Sequence, residues 1–110
     1  MEFQELINRA KLVRDKYTEL EIKQCGKRWG ALERTEGFVA DSGGLMKLVM
    51  AKAGLRKIHN VDDVDAKLSH ELADCLWSIL VIADELGIDL EKEFGKAMDA
   101  LEERIASGRQ

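Results

Sequence analysis

Apolar residues recur along this chain at intervals of three and four, and the pattern breaks at glycines, which predicts helices joined by short turns and no strand. Phe3, Leu6, Ile7, Ala10, Val13, Tyr17 and Leu20 share one helical face with charges opposite, and this first helix ends near Cys25 and Gly26. A basic turn, GKRWG, follows. The second helix is expected from about Leu32 to Ala53, with Gly54 in the position beyond the cap that glycine prefers. Gly37, Gly43 and Gly44 lie inside it. Each costs roughly 0.5–1 kcal/mol relative to alanine, which calls for close helix packing, a ligand against the backbone, or a bend. The loop LRKIHN leads to a third helix that opens with Asp62, Asp63 and Asp65, where the helix dipole favours negative charge, and ends at Gly87. Asp89 then reads as the N-cap of a fourth helix with Glu91 and Glu93 in its first turn. Phe94, Ala97, Met98, Leu101 and Ile105 form its apolar seam, and it ends by Gly108. With no proline, no repeat and short connections, the expected fold is all-α, an antiparallel four-helix bundle over residues 1–110 completed by dimerisation.

Composition narrows the class. A chain of 110 residues is one domain with a modest core, small enough for a partner subunit to supply much of the burial, so a homo-oligomer, a dimer, is expected. Hydrophobic residues at 45% and charged residues at 35% fit a folded domain, not a disordered segment. The net charge of −4 argues against a nucleic-acid polymer as partner, since that needs a basic face. Cys25 and Cys75 stand fifty positions apart with no companion at a metal-ligand spacing, which suits a reducing cytoplasm. The acidic, polar opening MEFQELINRAKLV does not resemble a secretory signal. The longest apolar run, Cys75 to Ala83, is about half of the ~20 residues that cross a bilayer, so it is expected to be a core helix segment and no membrane partner is expected.

Two carboxylates stand against that apolar run. Glu71 and Asp74, at i and i+3, share one helical face. Two such charges ~4 Å apart repel by about 4 kcal/mol at an effective dielectric near 20, and relief comes from protonation, an arginine or a hard divalent cation. Oxygen ligands alone point to Mg²⁺, with Mn²⁺ as the other possibility. Asp41 lies in the middle of the second helix, within FVADSGGLMKLVM, and would join them if the second and third helices are antiparallel neighbours. The alternative is that Glu71 and Asp74 both face solvent at the start of an amphipathic helix.

The stretch HELADCLWSILVIADELGIDLEKEF resembles the third-helix signature of the MazG-like, all-α nucleotide pyrophosphohydrolases: an ExxD pair, an apolar run, ELGID, and an acidic opening of the fourth helix. Upstream, FVADSGGLMKL resembles the family's second-helix EExxE motif followed by leucine, and the resemblance extends over Ala31 to Ile105, about two thirds of the chain. It implies magnesium held by the second and third acids of EExxE and both acids of ExxD. Carried over residue by residue, Ala40 stands at the first acid, Asp41 at the second and Gly44 at the third, while Glu71 and Asp74 match in full. Asp41, Glu71 and Asp74 are thus the implied catalytic and metal-binding residues, with glycine where a fourth carboxylate belongs. Glu36 does not replace it, being turned about 140° around the helix from Asp41.

The implied function is magnesium-dependent hydrolysis of a nucleoside triphosphate or modified nucleotide to the monophosphate and pyrophosphate, impaired by the loss at Gly44. The alternative is an inactive helical bundle that binds nucleotide or a protein partner. Lys47, Lys96 and Arg104 are the candidate phosphate ligands, and each reads equally well as an ordinary surface cation. Trp29, in the basic turn, is a candidate for stacking on a nucleobase or for anchoring the turn to the bundle. Trp77 is expected in the core. His59 and His70 are candidate phosphate contacts or polar surface, and Cys75 reads as a small buried hydrophobe.

Overall fold

The computed structural model describes residues 1–55, 57 and 63–108 and contains four α-helices: α1 (Phe3–Cys25), α2 (Ala31–Lys52), α3 (Val64–Glu85) and α4 (Leu90–Ala106). No strand occurs among the described residues. His59 and Asp62, singled out from the sequence, lie outside them.

The helix ends follow local chemistry. Gly54, at φ +76°, turns the chain so that Leu55 N–H reaches Met50 O at 2.8 Å and Gly54 N–H reaches Ala51 O at 3.1 Å. Gly87, at φ +68°, does the same for α3, with Ile88 N–H on Ala83 O at 2.9 Å. Both are the two-bond closure that a left-handed residue after the cap permits. At the other ends, Asp63 accepts a hydrogen bond from Ala66 N–H at 3.0 Å and Asp89 one from Lys92 N–H at 3.2 Å. Each thereby satisfies an N–H that the first helical turn leaves without a partner.

The central element is α3, which packs against both α1 and α2. It runs antiparallel to α2: Lys52 pairs with Asp65 at 2.7 Å, Gly44 lies beside Glu71, and Arg34 lies over the Trp77 ring. The run Cys75–Ala83 is the core segment expected of it, with Cys75, Leu80, Val81 and Ala83 buried. Ala10 of α1 joins Leu80 and Val81, and Phe3, Leu6, Ile7, Trp77 and Leu90 close around them. Trp77 is half-buried: its indole N–H is anchored on Ala10 O at 3.1 Å, while its ring lines a cleft.

Charge joins α1 to the end of α3. The buried Arg14 guanidinium donates to Asp84 at 2.7 Å and to Glu85 at 3.3 Å, Lys11 stands 3.6 Å from Asp84, and Arg28 of the turn also donates to Glu85. Asp84 and Glu85 are therefore partnered acids at the edge of the core. By contrast, α4 touches the other helices only slightly and buries none of its residues, so the seam Phe94, Leu101 and Ile105 lies uncovered. No helix among the described residues is long and apolar enough to cross a membrane.

α2 continues unbroken through its three glycines. A Cβ at Gly37 or Gly43 would meet nothing within 4 Å, so packing inside one chain does not account for them. Gly44 differs, since its neighbour is a carboxylate.

Candidate functional site

The antiparallel register of α2 and α3 decides where the acids go. Asp41 lies one turn before Gly44 on α2, and Glu71 one turn before Asp74 on α3. The two helices run in opposite directions, so the pairs meet: a Cβ placed on Gly44 would stand 3.8 Å from Glu71 Oε1. The Glu71 carboxyl is held above the usual carboxylate range. Burial is the main cause, followed by the negative charges of Asp41 and Asp74, with a hydrogen bond to Asp41 adding to it and His70 opposing it. Asp74 is partnered by His70, whose Nε2 lies 3.2 Å from its Oδ2.

The same charges reach Cys75. Its thiol is pushed up by burial first and then by Asp41, Glu71 and Asp74, which makes it a poor nucleophile and fits the reading of a small buried hydrophobe.

Asp41, His70 and Asp74 open onto a cleft of about 650 Å³ between α1, α2 and α3, and Tyr17, Trp29 and Trp77 line its aromatic walls. Tyr17 and Trp77 pack with ring centroids 5.7 Å apart. Arg34, which also lines the cleft, lies with its guanidinium carbon 5.7 Å from the centroids of both Trp29 and Trp77. Glu21 holds it through contacts of 2.8 Å and 3.1 Å, and the same Glu21 accepts the Trp29 backbone N–H at 3.0 Å. Trp29 is thus fixed by the turn's own hydrogen bond while its ring remains partly open to the cleft. The buried Arg34 Nε has no hydrogen-bond partner among the described residues.

No protein family, curated protein or solved structure matches this chain. The site therefore stands on its own geometry.

That geometry brings together Asp41, Glu71 and Asp74, and places Trp29 in the same cleft. It does not bring the candidate cations there. Lys47 is exposed on α2 and does not line the cleft, Lys96 pairs with Glu93 of its own helix at 3.5 Å, and Arg104 is exposed in the last turn of α4. Arg34 and Glu21 are the cleft residues that sequence reasoning missed. Their signal was present: Arg34 is one heptad before Asp41 and two before Leu48, and Glu21 follows Tyr17 by four on the apolar face of α1.

The cluster's donors are carboxylate oxygens, the kind a magnesium-type cation takes, and among the described residues no arginine pairs with them. In position the acids do not form a ligand set. Among the described residues, no three His, Cys, Asp or Glu side chains stand close enough to form a ready-made ligand cage. The acids interact through charge across the helix interface, and an acidic side chain at position 44 would start from beside Glu71.

Proposed function

We propose that this chain is a MazG-like nucleotide pyrophosphohydrolase whose magnesium site is one carboxylate short. The observation that supports this reading is the meeting of Asp41 on α2 with Glu71 and Asp74 on α3 beside an aromatic cleft, with position 44 next to Glu71. The reading assigns Asp41, Glu71 and Asp74 to the cation, which would have to draw them closer together than they stand here. When bound, magnesium supplies neutralisation of phosphate charge and Lewis-acid polarisation. The chain's own residues do the positioning: Trp29 and Trp77 offer aromatic faces to a nucleobase, and Tyr17 closes the cleft against Trp77. In the reaction a water oxygen bonds to the α-phosphorus, the bond to the α–β bridging oxygen breaks, and pyrophosphate leaves with that electron pair while the water's proton passes to solvent. Phosphoryl chemistry of this kind is mostly positioning and electrostatics. The reading also takes the protein to be a cytoplasmic homodimer; Cys25 and Cys75 are both free thiols.

The space at Gly44 favours a second reading, nucleotide binding without turnover, because a missing acid removes charge where the cation would sit. One experiment separates the two. Purified protein with Mg²⁺ and a panel of common and modified nucleoside triphosphates is assayed for pyrophosphate release, alongside Gly44→Glu, Glu71→Gln and Asp74→Asn. The hydrolase reading expects magnesium-dependent release that rises in Gly44→Glu and disappears in the other two. Nucleotide binding with no release from either the wild type or Gly44→Glu leaves the binding reading; neither binding nor release sinks both.

A further inference from the structure

Arg34 has a donor to spare. A guanidinium carries its N–H groups in a planar fork, and Glu21 takes the far end of it: Nη1 stands 2.8 Å from one carboxylate oxygen and Nη2 3.1 Å from the other. The Nε–H points from a different edge, beside the second N–H of one Nη, and that edge is the one that grips an oxygen acceptor side-on. Arg34 is only 6% exposed and lines the cleft, yet its Nε is closed to solvent and unpaired among the described residues. An unpaired buried donor is the exception in folded proteins and calls for a reason.

The surroundings restrict what could supply the acceptor. Trp29 and Trp77 both stand beside the guanidinium, so a group that reaches it between them must be flat. Of these two walls, Trp29 is the one carried by the turn between α1 and α2, and it is 39% exposed, so its ring is the wall free to give way. Charge narrows the choice further. Arg34 is the cation of the cleft among the described residues, Glu21 already balances it, and Asp41 and Asp74 lie further along. An anionic acceptor would meet a net negative surface, and an organic cation has no lone pair to offer the Nε–H. A neutral carbonyl on a flat ring satisfies both conditions.

We infer that Arg34 is a specificity residue of the cleft, its Nε–H reading a ring carbonyl of the nucleobase, so that bases of the uracil, cytosine and guanine type are taken in preference to adenine. A carbonyl oxygen has two lone pairs in the ring plane and accepts from the Nε–H and the neighbouring Nη–H together, whereas a ring nitrogen has one and accepts a single bond. The placement suits a nucleotide: Arg34 and Asp41 both line the cleft and lie about 10 Å apart along α2, which leaves room for a sugar between a base at Arg34 and a phosphate near the acids. The inference rests on the reading that puts a nucleobase in this cleft. Its test uses neither phosphate nor magnesium, so it fails or succeeds separately from pyrophosphate release.

The chain has two tryptophans and both line the cleft, so their fluorescence reports what enters it. The full chain is titrated with the nucleosides inosine, uridine and cytidine, whose bases carry a ring carbonyl, and with adenosine and unsubstituted purine riboside, whose bases do not. Inosine is expected to bind about ten- to a hundredfold more tightly than purine riboside, the worth of one hydrogen bond from a charged donor, and adenosine is expected to side with purine riboside. Arg34→Lys keeps a charge opposite Glu21 but has no Nε edge, so the ratio should fall to about one. If that variant does not fold, the wild type still decides: in nitrogen-15 NMR the Arg34 Nε–H resonance is expected to move downfield and exchange more slowly with inosine, and to stay in place with purine riboside. Equal affinity for the two, or an Nε–H that inosine leaves unmoved, overturns the inference. Nucleosides that fail to bind while triphosphates are still cleaved overturn it and leave the hydrolase reading standing; carbonyl-selective binding without pyrophosphate release upholds it and removes only the hydrolase reading.

Discussion

At the scale of single residues, the site is built from charges that the fold would be more stable without. Glu71 carries a raised pKa because burial and the Asp41 and Asp74 charges oppose its ionisation. Such a group stabilises the fold below its unfolded pKa, near 4.3, and that contribution is lost as pH rises through the higher folded value. Glu71→Gln removes the penalty, so it is expected to raise stability at pH 7 by about 0.2–0.5 kcal/mol, the size of a like-charge pair one turn apart. The gain should fade below pH ~4, where the wild-type carboxyl is already neutral. Magnesium titration followed by thermal melts checks both aspects, with a metal-dependent rise in Tm expected in wild type and absent in the variant. Glu21 is the opposite case. It holds a guanidinium buried between two tryptophans, so Glu21→Ala strands that charge and is expected to cost about 3–5 kcal/mol in urea unfolding. The sequence made the first group legible and the second not. Glu71 and Asp74 are neighbours on one helix, and their spacing alone puts them together. Glu21 and Arg34 are on different helices, and only the fold, which sets both α1 and α2 against α3, reveals their pairing.

At the scale of elements, the helix ends were legible because they are local chemistry, with Gly54, Gly87 and Asp89 taking the positions expected of them. What α2's interior glycines do was not legible, since it depends on what lies across from each. Gly43 meets nothing, so Gly43→Ala is expected to stabilise by about 0.5–1 kcal/mol. Gly54→Ala, at φ +76°, is expected to destabilise by about 1–2 kcal/mol, and denaturant midpoints of the two variants should therefore move in opposite directions. The joint between α1 and α3 has a pH signature. Asp84 is held below the usual carboxylate range by the hydrogen bond from Arg14, against the cost of burial and with help from Lys11. Its contribution is present above the unfolded value near 3.9 and lost as pH falls through the depressed folded value. Asp84→Asn is therefore expected to lower stability by about 1 kcal/mol at neutral pH, a charged hydrogen bond discounted for partial solvent exposure. The difference from wild type should close under acid, which a series of melts between pH 7 and 2 would trace.

At the scale of the whole molecule, the amphipathic seam of α4 was legible in the sequence, but not the fact that no helix among the described residues covers it. A hydrophobic period states that a face needs burial and is silent on which surface provides it. The consequence is thermodynamic. If α4 finds its missing neighbour only in a second copy, as the homodimer reading has it, folding and association are one equilibrium, and stability depends on protein concentration. Each tenfold rise in concentration then adds about 1.4 kcal/mol to the folded dimer. For an assembly of about 220 residues that is a Tm increase of roughly 3–6 °C. Melts across a hundredfold range should show this slope in wild type. Phe94→Glu, on the uncovered α4 seam, should lose the slope along with the dimer, while Gly43→Ala on α2 should keep it and shift the whole curve upward. Because the α4 seam is apolar, the slope should survive high salt. A wild-type Tm that stays constant over that range would show that the small core of α1–α3 stands alone.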